Sequence, residues 1–318
     1  AYPRAKCNCL GDWAGRGNAA CPDLEHTPLS AGIDQVHRSR FSASGGCTTA
    51  EIGWSINLTE QVRFMVTMIS VMKVSGHELD DPTFLDGLVV ALRDLQQPAV
   101  LVHGGGKEIS AAVEQAGLPV EFVDGLRVTS PAIMDIMQRV VCGTINKRIV
   151  TALVQAGVKA LGLSGLDLGL LRCEPYRPAG RDLGRVGTVT SVDGAALRAL
   201  LNLGWLPVIA PVGLGMDGLS YNVNADMVAE AIAGELGNTE LVFISNVPGV
   251  LVEGKVIPTL TSAAVEAYIA TGVISGGMIP KVRSALAALN RGAASVRIVN
   301  LAGLHNGGTR FVAAERQE

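Results

Sequence analysis

From Met68 onward, short apolar runs alternate with longer amphipathic stretches, and this alternation restricts the fold more than any other feature. Ile69 to Val74, Ala99 to Val102, Val158 to Leu163, Leu206 to Ala210, Glu240 to Ile244 and Ser295 to Val299 read as strands. Most are too continuously apolar to have one wet face, so they are expected to be buried on both sides. Between them, helices fit Lys107 to Ala116, Gly194 to Leu203, Asp226 to Leu236, Ser262 to Ala270 and Pro280 to Asn290. Asp81-Pro82 supplies an N-cap and a first-turn proline for another. Ser130-Pro131 opens a long helical stretch to about Gln155, with an interruption expected near Gly143, and Glu121 to Val128 predicts a hairpin around Asp124-Gly125. Strands separated by helices imply an α/β fold: a mainly parallel open sheet covered on both faces, in three αβα layers. Such sheets bind ligands at the carboxyl ends of their strands.

Residues 1–64 differ. They mix Gly, Ser, Cys, Arg and Pro without sustained periodicity, and are expected to be an irregular extension, or sequence upstream of the natural start, beside a main domain of residues 65–318. Cys7, Cys9, Cys21 and Cys47 fit no common closed zinc spacing. Cys142, within an apolar helical run, is expected to be a packed thiol. At 48% hydrophobic and 17% charged residues the chain can bury a large core. A net charge of -3 gives no basic surplus for nucleic acid. No apolar run of about 18 residues and no basic-then-apolar leader is present, so the expectation is a cytoplasmic chain without a membrane partner.

Several motifs fall at the predicted strand ends. Lys73-Val74-Ser75-Gly76 ends the first strand with a lysine that a phosphate could neutralise, although a strand-end lysine can also be inert. His103-Gly104-Gly105-Gly106-Lys107 lets backbone approach an anion at a helix N-terminus. It has neither the GxGxxG spacing of dinucleotide folds nor the Gly-Lys-Ser/Thr ending of a P-loop. His103 could be a base or a structural histidine bonded to backbone. Gly125-Leu126-Arg127-Val128-Thr129 offers an arginine that can clamp a carboxylate or simply be solvated. Asn222-Val223-Asn224-Ala225-Asp226 clusters more polar groups at a helix start than capping needs. Ser245-Asn246-Val247-Pro248-Gly249-Val250 suits the lining of a nucleotide pocket. Ser275-Gly276-Gly277-Met278-Ile279-Pro280-Lys281 places a lysine in a first turn, where an anion would compensate the helix dipole. Two lysines, an aspartate, an arginine and glycine loops, with no nucleophile-histidine pattern and no HExxH, fit phosphoryl transfer, which needs positioning and charge more than a protein nucleophile.

In their order along residues 68–318, these motifs resemble the amino-acid kinase family, and within it the branch that phosphorylates N-acetyl-L-glutamate. The resemblance implies a substrate-binding lobe over about 65–210 and an ATP-binding lobe over 211–318. It implies that Lys73 and Lys281 stabilise the transferred phosphoryl group, oriented by Asp226. Gly104 and Gly105 would hydrogen-bond substrate and γ-phosphate, while Arg127 and Asn222 would hold the substrate's α-carboxylate. Gly76, Asn246, Val247, Gly249, Val250, Leu251, Gly276 and Gly277 would line the ATP site, with Mg2+ carried by ATP and no protein metal site. The product would be an acyl phosphate of arginine biosynthesis. Ser75 departs from the family's usual glycine, and Asn246 stands where many relatives have aspartate. Residues 48–64 do not resemble the extra helix of arginine-inhibited members, so a homodimer without arginine inhibition is expected. A kinase for carrier-linked aminoadipate in lysine biosynthesis, and a non-catalytic ligand-binding regulator of the same fold, are the alternatives.

Overall fold

The computed structural model describes residues 68–312 apart from His77 and Gly277. The expected extension over 1–64, with its four cysteines, and the predicted ATP-site residue Gly277 lie outside the described residues.

The strands, in chain order, are β1 (Ile69–Val74), β2 (Ala99–His103), β3 (Phe122–Val123), β4 (Leu126–Arg127), β5 (Ala160–Ser164), β6 (Leu171–Pro175), β7 (Val186–Val192) and β8 (Leu206–Ala210). They continue with β9 (Val212–Gly215), β10 (Ser220–Val223), β11 (Thr239–Ile244), β12 (Leu251–Val252), β13 (Lys255–Val256), β14 (Thr259–Thr261), β15 (Ser295–Val299) and β16 (Thr309–Val312). The α-helices are α1 (Pro82–Arg93), α2 (Gly106–Gln115), α3 (Pro131–Gln138), α4 (Asn146–Gln155), α5 (Gly194–Asn202), α6 (Ala225–Leu236), α7 (Ser262–Ala270) and α8 (Met278–Asn290).

Eight strands form one sheet in the order β14-β16-β15-β11-β1-β2-β8-β5. All neighbours are parallel except β15 and β16. Strand alternation sends successive side chains to opposite faces. Ile69 and Val71 of β1 therefore join the core under α5, α6 and α8, whereas Met72 and Val74 join the core under α1 and α4. Each fully buried aliphatic side chain in these layers contributes about 1.5–3 kcal/mol. The sequence-expected three-layer αβα architecture is the one observed. Among the described residues, no helix is long and apolar enough to cross a membrane.

The differences are local. No break occurs at Gly143; the helix widens into a π-helical segment over Arg139–Ile145 and continues as α4. Helix α8 starts at Met278, two residues before Pro280. β6, β7, β9 and β10 close into a small barrel that the apolar runs did not announce.

Candidate active site

Two glycine turns leave the sheet side by side. β1 and β2 pair with Val74 opposite His103, so Ser75-Gly76 and Gly104-Gly105 emerge together, and Gly104 N–H donates to Val74 O at 3.0 Å. A Cβ at Gly76 would stand 2.4 Å from Gly105 N and 2.7 Å from Gly106 N; one at Gly104 would stand 2.9 Å from Gly76 N. Each turn thus requires the other's missing side chain. Gly105 caps α2 without a side-chain hydrogen bond, which leaves the first-turn N–H groups available to an anion. Ser75 is not among the positive-φ residues, so its Cβ brings no left-handed strain, and it lines the cleft above the turns.

That cleft has a volume of about 630 Å³ and brings together Lys73, Gly76, Gly104, Gly105, Arg127, Asn222 and Asp226. Lys73 continues the Ile69/Val71 face of β1, the face covered by α6. Its Nζ meets Asp226 Oδ1 at 2.8 Å, with the two side chains 14% and 28% exposed. Asp226 is the second residue of α6, where the helix dipole favours an anion. Asn224 is the N-cap, its Oδ1 accepting from Asp226 N at 2.8 Å.

Lys281, on α8, reaches the same region from the next strand. Its Nζ donates to Ser245 Oγ at the end of β11, whose Ile244 pairs with Val74 of β1. Burial lowers the Lys281 pKa and the nearby Lys73 adds to the fall, while Glu78 and Asp226 oppose it. An arriving polyanion would restore the favour for its charged form.

Arg127 is 6% exposed. Its Nη2 donates to Gly106 O at 2.9 Å and to Ser110 Oγ at 2.8 Å, and its guanidinium lies over the Phe122 ring at 4.6 Å. Nη1 is buried with no hydrogen-bond partner among the described residues. Burial lowers the pKa of this guanidinium. A buried, half-used guanidinium lining a cleft is suited to one more acceptor, and a carboxylate is the best match. Asn222 Nδ2 donates to Thr129 Oγ1 at 3.0 Å, and that hydroxyl donates to Arg127 O at 2.7 Å.

His103 is fully buried. Its Nδ1 lies 3.0 Å from Gly104 O, and its Nε2 lies 3.1 Å from Asn146 Nδ2. The amide can only donate to Nε2, so the proton sits on Nδ1. Burial pushes its pKa down to about 4, with Arg148 and Lys147 contributing. This is a structural histidine that buttresses the glycine turn. Burial pushes the Cys142 thiol up to about 11, as befits a packed, unreactive sulfur.

The remaining predicted residues do not line this cleft. Asn246, Val247, Gly249, Val250 and Leu251 form the loop from β11 into β12. Asn246 and Gly276 are exposed. Gly249 adopts φ 150, and a Cβ there would meet Thr309 Oγ1 at 2.7 Å. Val250 is 1% exposed, and its N–H donates to Thr309 Oγ1 while its carbonyl accepts from Ile257. It is a core support for the loop. Sequence reasoning missed Ser110 and Thr129, which brace Arg127, and the contact of Ser245 with Lys281. A small hydroxyl residue carries no periodic signal.

Residues 68–300 match the amino acid kinase family. An acetylglutamate kinase of Chloroflexus aurantiacus is 81% identical over 254 residues, covering 80% of this chain and 100% of the relative. Another, from Roseiflexus sp., is 51% identical over 243 residues, covering 76% of this chain and 92% of the relative. Among solved structures, smu.665 from Streptococcus mutans superposes with a TM-score of 0.66 at 32% identity, covering 77% of this chain and 99% of the other.

Proposed function

This chain belongs to the amino acid kinase family, and from that premise we propose that it transfers the γ-phosphoryl group of ATP to the side-chain carboxylate of N-acetyl-L-glutamate. The product is an acyl phosphate. The observation that carries the reading is one cleft holding both an arginine with a free buried Nη1 and the Lys73–Asp226 pair, joined by two abutting glycine turns. The 81% identity to an acetylglutamate kinase supports the substrate.

In this reading Arg127 and Asn222 hold the α-carboxylate. Gly104, Gly105 and the α2 N-terminus direct N–H groups at the reacting carboxylate and the γ-phosphate. Lys73 and Lys281 stabilise charge on the transferred phosphoryl group, and Asp226 fixes Lys73 for that task. Gly76 lets the two turns meet. Asn246, Val247, Gly249, Leu251, Gly276 and Gly277 border the nucleotide, with Val250 supporting their loop. Mg2+ arrives on the ATP phosphates, since Asp226 is committed to Lys73. The substrate lobe spans about 65–210 and the ATP lobe 211–318. The enzyme works as a cytoplasmic homodimer without arginine inhibition, so light scattering should give twice the 33.1 kDa chain mass.

The test is ATP-dependent acyl-phosphate formation trapped with hydroxylamine, with N-acetylglutamate and α-aminoadipate side by side. Turnover of N-acetylglutamate that Lys73→Ala and Lys281→Ala each reduce by about a hundredfold or more is the expected result. Turnover of aminoadipate alone, or of neither, overturns the assignment.

A further inference from the structure

Behind the cleft, a buried amide backs the glycine turns. Asn146, the first residue of α4, is 1% exposed. Its Nδ2 donates to Val208 O on β8 at 2.9 Å and lies 3.1 Å from His103 Nε2. Its Oδ1 accepts from Lys147 Nζ at 3.1 Å, and that ammonium also donates to Gly162 O on β5 at 3.0 Å. A carbonyl oxygen can only accept and an ammonium can only donate, so the amide stands one way round. Its second N–H therefore meets Nε2, and the ring proton is left on Nδ1, 3.0 Å from Gly104 O.

The effect is felt in one peptide unit. The Gly104 carbonyl and the Gly105 N–H belong to the same planar trans group and point opposite ways. Holding the carbonyl back toward buried His103 turns the N–H toward the cleft that Gly105 lines. Ile145, next to Asn146, presses on the same unit: a Cβ at Gly105 would stand 2.5 Å from Ile145 Cδ1. The sheet leaves room for this arrangement. Gly162 pairs with Val208, and a Cβ there would collide with Asn146 Oδ1 and stand 2.7 Å from Lys147 Nζ. An aliphatic side chain would fill position 146 without burying an amide. What the amide adds is direction.

We propose that Asn146 is a positioning residue of the phosphoryl-transfer centre: by fixing which nitrogen of His103 carries the proton, it anchors the Gly104 carbonyl and aims the Gly105 N–H at the transferred phosphoryl group. The inference rests on the function proposed above. Asn146 is not among the residues lining the cleft; it acts through His103.

The first arm of the experiment needs no active-site variant. Nitrogen NMR of labelled histidine in unliganded wild type reads the ring directly, with His103→Gln identifying its signals. A neutral ring protonated on Nδ1 is expected, and a proton on Nε2 overturns the proposal. The second arm measures kcat and KM for Asn146→Leu, which removes the donor at nearly constant volume, and for Gly162→Ala, which displaces the amide from outside the cleft. Each should lose about ten- to a hundredfold in kcat with both KM values within about threefold. Each should also move the His103 nitrogen signals and the Gly105 amide proton. His103→Gln should lose a similar factor, and adding Asn146→Leu to it should cost no more than about twofold further, because the two residues act in series. Wild-type kcat in either single variant, a loss confined to KM, or losses that multiply in the double variant overturns the proposal. Should Gly162→Ala fail to fold, the histidine signals and the double variant still decide. If wild type forms no acyl phosphate, the functional assignment falls by itself, and an unmoved Gly105 amide in Asn146→Leu separately overturns the positioning role.

Discussion

A Cβ at position 76 would lie inside the backbone of the facing turn. Gly76→Ala should therefore force the Lys73 and Gly104-Gly105 turns apart, lowering kcat at least about tenfold and stability by about 1–3 kcal/mol. Ser75→Gly, one residue earlier, removes no packing of this kind and should leave kcat within about threefold of wild type, which steady-state kinetics on the pair would check. His103 makes a prediction of opposite character. Its pKa is depressed from 6.5 to about 4 by burial, so the stability of the neutral form is complete above 6.5 and is lost as pH falls through about 4. The loss approaches about 3 kcal/mol. Wild type should thus lose melting temperature more steeply between these values than His103→Gln; parallel curves would contradict the assignment. Glu230, buried on α6, titrates with the reverse sign. Its raised pKa gives stability that is full below 4.5 and lost as pH rises through about 7, so Glu230→Gln should gain melting temperature over wild type at pH 8 more than at pH 5. These residues also show where the sequence was legible. Lys73 and Asp226 stood out because a charge at a buried strand end and a surplus of polar groups at a helix start both break a local pattern. Arg127 in isolation read better as solvated, since its burial against Phe122 and beside Ser110 depends on a hairpin folding back over α2. Glu230 gave no signal, because a glutamate inside a helix ordinarily faces water.

Elements were readable where their ends carry chemistry. Asp81 caps α1 by accepting from Thr83 N at 2.9 Å and from Thr83 Oγ1 at 2.8 Å, and Asp81→Ala should lower the midpoint of denaturant melts while leaving kcat unchanged. The Asp124-Gly125 turn forms as expected, with φ 51 and φ 80. The long helix after Pro131 was expected to break at Gly143, yet it only widens, because Val141 and Ile145 stay buried on either side, Val141 in one core cluster with α2 and Ile145 in another with α1. The four-stranded barrel was invisible for a different reason. β7 is half exposed along its length, and Gly187, Gly213 and Gly215 leave room for Cys173 and Tyr221 where a side chain would otherwise mark the strand. Pairing among short, glycine-bearing strands is decided by distant partners, which no local window contains.

Over the whole molecule, the sheet divides at β1. Strands from the second half of the chain, β11, β15, β16 and β14, lie on one side of it, and β2, β8 and β5 lie on the other. The cleft opens above that division, which is why Lys73 and Asp226, so far apart in sequence, come to share an ion pair. The alternation of strands and helices conveyed the layers but not this ordering, since any parallel sheet satisfies the same pattern. The central position of β1 also bears on how the protein is made. Among the described strands β1 leaves the ribosome first, and β2 can cover one of its edges soon afterwards. Its other edge pairs residue by residue with Thr239–Ile244, which are synthesised only after β2, β5 and β8 have emerged. The nascent chain must hold a bare, apolar strand edge through most of its elongation, so this enzyme should rely on chaperones during translation more heavily than a fold whose first strand lies at the rim.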